Sequence, residues 1–156
     1  MSDAGAGFYD TLERRDRAER ERAQFAALPA LVAHARRHAP AFAEILHGVD
    51  PTTITSREAL SRLPVTRKPA LLERQKASRS REGAGREPFG GFSAIGWSAL
   101  VAAPRGARRV YQSPGPIYEP EGQAADYWRI GRALFAAGVR EGDLIHNSFS
   151  YHLTPG

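Results

Sequence analysis

Arg109-Val110-Tyr111-Gln112-Ser113-Pro114-Gly115-Pro116-Ile117-Tyr118-Glu119-Pro120-Glu121 is the stretch whose reading decides the fold. Arg109-Val110-Tyr111-Gln112 reads as a short strand. Proline and glycine then crowd residues 113–122, which read as a loop. Residues 124–137 follow as a helix, with Trp128, Leu134 and Phe135 among its apolar positions. Gly138 supplies an αL-type stop. Arg140-Glu141-Gly142-Asp143 is a turn, and Leu144-Ile145-His146-Asn147 reads as a second strand. Strand, loop, helix, turn and strand compose a βαβ unit, whose parallel strands need helices on both faces. The expected fold class is therefore α/β: a helical N-terminal preface followed by the first βαβ elements of a larger, incomplete domain.

Upstream of this unit the chain is helical in character. Residues 8–27 are dense in Glu, Arg and Ala, which favour helix. Pro29 suits the first turn of a second helix. Pro40 interrupts that helix, and Gly48 ends the next. Ser56 caps a short helix through Ser61. Thr66 is placed to cap another, from Lys68 to about Ser78, with Pro69 in its first turn. Residues 80–91 are rich in Arg, Gly and Pro and read as a loop. Residues 92–100 are apolar and read as a short strand or turn. The organisation expected is a helical region over 1–80, a loop-rich linker over 81–107 and a partial α/β subdomain over 108–156.

Composition excludes more than it selects. The chain has 156 residues, of which 42% are hydrophobic and 25% charged, the balance of a globular protein. With no cysteine, disulfide scaffolds, thiolate metal sites and cysteine nucleophiles are all ruled out. No apolar run approaches a membrane span, and the first ten residues lack the pattern of a secretory signal. A cytoplasmic location is expected. The net charge of +5 is uneven: residues 31–110 hold fourteen Lys and Arg against six acids, while both flanks are slightly acidic. The densest basic run covers residues 67–81. It could face phosphates, but no aromatic residues interleave to stack on bases, and a solvated helix face followed by a loop is the favoured reading. The Arg-rich, Ala-rich composition matches a GC-rich bacterial genome. His34 and His38 share a helix face at i,i+4 spacing, with no third ligand near in sequence. Ser148 and Ser150 lie near His152, but no Gly-x-Ser-x-Gly elbow accompanies them.

Five segments in order resemble a known family. Leu63-Pro64-Val65-Thr66-Arg67-Lys68 is similar to the Leu-Pro-aromatic-Thr-x-Lys signature of phenylacetate–CoA ligases, members of the adenylate-forming enzymes. Ala39-Pro40-Ala41-Phe42 and Gly48-Val49-Asp50-Pro51 resemble that family's preceding segments. Pro88-Phe89-Gly90 resembles the approach to its first sheet strands. Gly142-Asp143-Leu144-Ile145-His146-Asn147 resembles the strand beyond its phosphate loop. The resemblance implies ATP-dependent activation of an aryl or acyl carboxylate to an acyl-adenylate. Thioester formation with CoA follows, so ATP with Mg2+ and CoA are the implied cofactors. It places the phosphate loop at residues 113–120, with Ser113 and Gly115 as nucleotide-contacting positions. Tyr151, joined by His152, falls where the family lines its acyl pocket. The family's ribose-binding acid and terminal lysine lie beyond the matching region, so the resemblance implies an N-terminal portion that is inactive alone and has no assignable catalytic residue.

The loop itself departs from the family's Ser-Ser-Gly-Thr-Thr-Gly-Lys-Pro. Pro114 and Pro116 remove two N–H donors, and two hydroxyls are lost at Pro116 and Ile117. Tyr118 replaces a glycine. Glu119 stands where the family has a lysine, putting a negative charge toward a triphosphate. Read from these residues alone, the segment is a rigid Pro-Gly turn. Two functions stay open at this point: an acyl- or aryl-CoA ligase fragment, and a non-catalytic binding or interaction module derived from the same fold. Neither a membrane nor a nucleic acid is an expected partner.

Overall fold

The structure, a computed structural model, describes residues 7–81, 87–96 and 106–148. Tyr151 and His152 lie outside the described residues, as do residues 97–100 of the apolar stretch at 92–100. Within them the protein is a mixed α/β structure. Four helices, α1 (Arg17–His38), α2 (Pro40–Ile45), α3 (Arg57–Ser61) and α4 (Lys68–Arg79), precede strands β1 (Arg109–Ser113) and β2 (Ile117–Glu121). Helix α5 (Gly131–Ala136) closes the series.

Local chemistry sets many of the helix ends. Asp16 accepts from the Glu19 N–H to start α1, and Ser56 accepts from the Ala59 N–H to start α3. Pro40 stands in the first turn of α2 and Pro69 in that of α4, where a missing N–H costs nothing. Thr66 is not the cap of α4. That position falls to Arg67, whose side chain makes no capping bond. Pro29 does not begin a new helix either; it lies inside the continuous α1. Its lost hydrogen bond costs roughly 3 kcal/mol. Burial of neighbouring side chains offsets this, because Leu28 and Val32, on either side of Pro29, both pack into the helical core.

That core is small. Val32, Leu46 and Ile54 are buried together, with Leu28, Phe42, Ile45, Val49, Ala59 and Leu63 packed around them. Each of the three buried side chains contributes roughly 1.5–3 kcal/mol. The Arg36 guanidinium donates to the Val49 carbonyl and ties α1 to the turn after α2.

The second half departs from the βαβ expectation. Residues 117–121 form a strand instead of loop, and β2 pairs antiparallel with β1. Pro114-Gly115-Pro116 is the connecting turn, with Ser113 opposite Ile117, and Gly115 takes a φ of 129° that side chains disfavour. Pro120 fits because it faces Val110 at a position whose N–H need not enter the ladder. The expected helix over 124–137 is confined to Gly131–Ala136. Asp126 and Arg129 adopt left-handed φ values of 47° and 56°, and the Asp126 carboxylate accepts from the Gly131 N–H, so the chain turns before it coils. At the far end Gly138 donates to Phe135 and Val139 to Leu134, the Schellman pattern that its glycine predicts. Leu144-Ile145-His146-Asn147 forms no strand. Leu144 and Ile145 are both exposed, and among the described residues the sheet has two strands only.

The hairpin is fastened to α4 by a buried side-chain amide, with Arg79 lying over the Tyr118 ring beside it. Gln75 on α4 is 2% exposed. Its Nε2 donates to the Tyr118 carbonyl at 2.9 Å and to the Phe89 carbonyl at 3.3 Å. Its Oε1 accepts from the Tyr118 N–H at 2.9 Å. The side-chain amide thus occupies the place of a neighbouring strand's peptide along the free edge of β2. Gly90 allows the close approach: a Cβ there would sit 3.0 Å from Gln75 Cγ. Next to it, the Gly91 carbonyl accepts from the Ala41 N–H in the first turn of α2.

Replacing Gln75 by Leu strands the Tyr118 N–H and carbonyl. The expected loss is about 2–4 kcal/mol of unfolding free energy in urea melts. Gln75→Glu keeps the acceptor but presents a carboxylate to two carbonyls, and loses at least as much. Losses below about 0.5 kcal/mol in both variants would show that the amide pairing does not hold the hairpin.

Candidate functional site

The hairpin and the turn after it enclose an aromatic cleft of about 530 Å³. Alternation along the strands puts Arg109 and Tyr111 of β1 on the same face as Glu119 and Glu121 of β2. Tyr127 and Trp128 close the other side from the turn before α5. Trp128 meets Tyr127 edge to face, with centroids 5.0 Å apart and planes at 88°, and meets Tyr111 at 6.1 Å and 69°. The Tyr127 ring lies against Gly122, where a Cβ would come within 2.7 Å of it. Any larger residue at 122 would push the ring out of place. The two left-handed residues, Asp126 and Arg129, bracket this aromatic pair. Strain of this kind, about 1–3 kcal/mol per residue, persists only where surrounding contacts over-determine it.

Charge in the cleft is ordered by hydrogen bonds. Glu121 is buried, at 5% exposure. The Tyr111 hydroxyl donates to it at 2.9 Å, and the Arg109 guanidinium pairs with it at 3.1 Å. The Tyr111 hydrogen bond, and then Arg109, hold its carboxyl below the ordinary carboxylate value. Glu119 is exposed, and Asp126 spends one oxygen on Gly131. Among the lining residues Glu119, Glu121 and Asp126 are acids and Arg109 is the base, and the charge of Arg108 also acts on Glu121.

Of the residues singled out in the sequence, Ser113 is the last residue of β1 and Gly115 sits in the hairpin turn. They do not adjoin the aromatic cleft, whose walls come from the other end of the hairpin. His34 and His38 bring their rings to 4.5 Å. Among the described residues no group of three or more His, Asp and Glu could hold a metal ion. Much of the basic run is engaged within the fold. Arg74 pairs with Glu44 and Lys76 with Glu73, while Arg79 lies over the Tyr118 ring. No helix among the described residues is long and apolar enough to cross a membrane.

The cleft was not legible as a site in the sequence. Tyr111, Glu119 and Trp128 become neighbours only once the Pro-Gly-Pro segment closes a hairpin. The signal that could have found it is the pair of short alternating runs around Pro114-Gly115-Pro116, which suits a three-residue hairpin connection. No protein-family model matches the chain, and neither a curated protein nor a solved structure matches it.

The depressed Glu121 predicts a signed pH effect. A carboxylate held below its ordinary value adds stability that is full above that value and is lost as pH falls through the depressed one. Tyr111→Phe removes the largest cause. Its deficit in melting temperature relative to wild type is expected to be widest near neutral pH and to narrow in acid. A deficit that stays constant from neutral to acid pH would show that ionised Glu121 is not stabilised by this bond.

Proposed function

We propose that this chain is a non-catalytic binding module related to the adenylate-forming fold, working in the cytoplasm without turning over ATP. One observation carries this reading: how the segment at the place of the family's phosphate loop uses its backbone. Pro114, Pro116 and Pro120 carry no N–H. The Tyr118 N–H is committed to Gln75, and Glu119 sits in the ladder opposite Tyr111. A phosphate cradle needs convergent free N–H groups and positive charge. This segment offers a turn closed on itself and a carboxylate.

The ordered segments at Leu63 to Lys68 and at Gly142 to Asn147 favour a second reading. In it the chain carries N-terminal elements of an acyl- or aryl-CoA ligase, with ATP, Mg2+ and CoA as its reactants and a small aryl or acyl carboxylate as its substrate. Pyrophosphate exchange across a panel of aryl and acyl acids, with calorimetric titration of ATP and Mg2+, separates the two. The expected result is no acid-dependent exchange and no ATP binding below about millimolar, a limit near −4 kcal/mol. Acid-dependent exchange, or tighter ATP binding, would replace the module reading by the ligase reading.

A further inference from the structure

We infer that the cleft between Tyr111, Tyr127 and Trp128 is a binding site for a small organic cation of the quaternary or methylated ammonium class. This deepens the binding-module reading and rests on it.

Ring geometry is the first support. Tyr127 and Trp128 stand at 88° to one another, and Tyr111 and Trp128 at 69°. A flat aryl ligand needs one open face to stack against. Rings set nearly at right angles form a corner, which suits a compact, roughly spherical cation that meets several π-faces at once.

The second support is charge. Glu119, Glu121 and Asp126 face the cleft together with Arg109. Arg109 is held by Glu121 and the charge of Arg108 acts on the same carboxylate, while Glu119 and Asp126 form no ion pair among the described residues. That balance favours a cation and opposes the carboxylate that an acyl-activating site would take.

The third support is which rings the chain's own cations leave alone. Arginines lie over Phe8, Tyr9, Phe25, Phe92, Tyr118 and Phe135. Among the described residues none lies over Tyr111, Tyr127 or Trp128, although Arg109 belongs to the same cleft. Trp128 remains 47% exposed and Tyr127 39%. The cleft, of about 530 Å³, falls within the usual size of a small-molecule site.

The test is calorimetric titration of the full chain with choline chloride, and with the neutral isostere dimethylbutanol, in which carbon replaces the quaternary nitrogen. Choline is expected to bind about tenfold more tightly than the isostere, the scale of a partly desolvated cation–π contact. Trp128→Leu should abolish the preference. Glu119→Gln, an exposed change that leaves the rings in place, should reduce it several-fold, with the melting curve by circular dichroism unchanged. Equal binding of the two probes, or no choline binding by the folded chain, would overturn the cation site. A chain that binds choline yet exchanges pyrophosphate would keep the cleft and lose the module reading. One that does neither would lose the cleft and keep that reading.

Discussion

The second half of the molecule depends on one buried amide. Gln75 presents both a donor and an acceptor to the backbone of Tyr118, and its second donor goes to Phe89. An isolated two-stranded hairpin is marginal in water, and a free strand edge exposes unpaired peptide groups. Gln75 answers both problems at one position by standing in for a third strand. Each of its hydrogen bonds is worth only about 1 kcal/mol net. Burial makes the arrangement demanding, because losing either partner leaves polar groups without water to replace it.

From that pairing the neighbouring geometry follows. Gly90 and Gly91 adopt φ values of 66° and 77° so that the turn at residues 88–91 can pass close to α4 and α2. Phe89, at 1% exposure, is locked beneath it. Arg74 donates to the Gly90 carbonyl and pairs with Glu44, which joins α4 to α2. The residues over which the sequence suggests a linker therefore include a junction between helices and hairpin.

With one edge of β2 held by Gln75, the face bearing Tyr111, Glu119 and Glu121 is fixed in place. The turn carrying Tyr127 and Trp128 then has a surface to fold against, and it does so through two left-handed residues. At the opposite end the N-terminal segment is drawn onto α5. Arg132 pairs with Asp10, and Tyr9 meets Phe135 edge to face at 5.8 Å. Structure on both sides of the cleft thus supports its rings.

Features that depend on a few adjacent residues were readable directly from the chain. Among them are the Ser56 cap, the Gly138 stop, the prolines opening α2 and α4, and the strand at Arg109–Ser113. The cap, the stop and the prolines rest on hydrogen bonds or steric limits within four or five positions, whereas the strand, legible from its residue types, completes its ladder with residues 117–121. Features set by distant partners were not. Pro29 stays inside α1 because side chains on both sides of it reach a shared core. Residues 117–121 become a strand because Gln75, 43 positions before Tyr118, supplies its missing neighbour. Leu144 to Asn147 have strand-forming residues but no partner strand among the described residues. The sequence alone determined where this chain can turn, cap and extend. Tertiary structure alone decided which extended segments pair, and so which aromatic and acidic side chains meet in one cleft, since a buried amide pairing or a cleft wall of this kind exists only where separate segments converge.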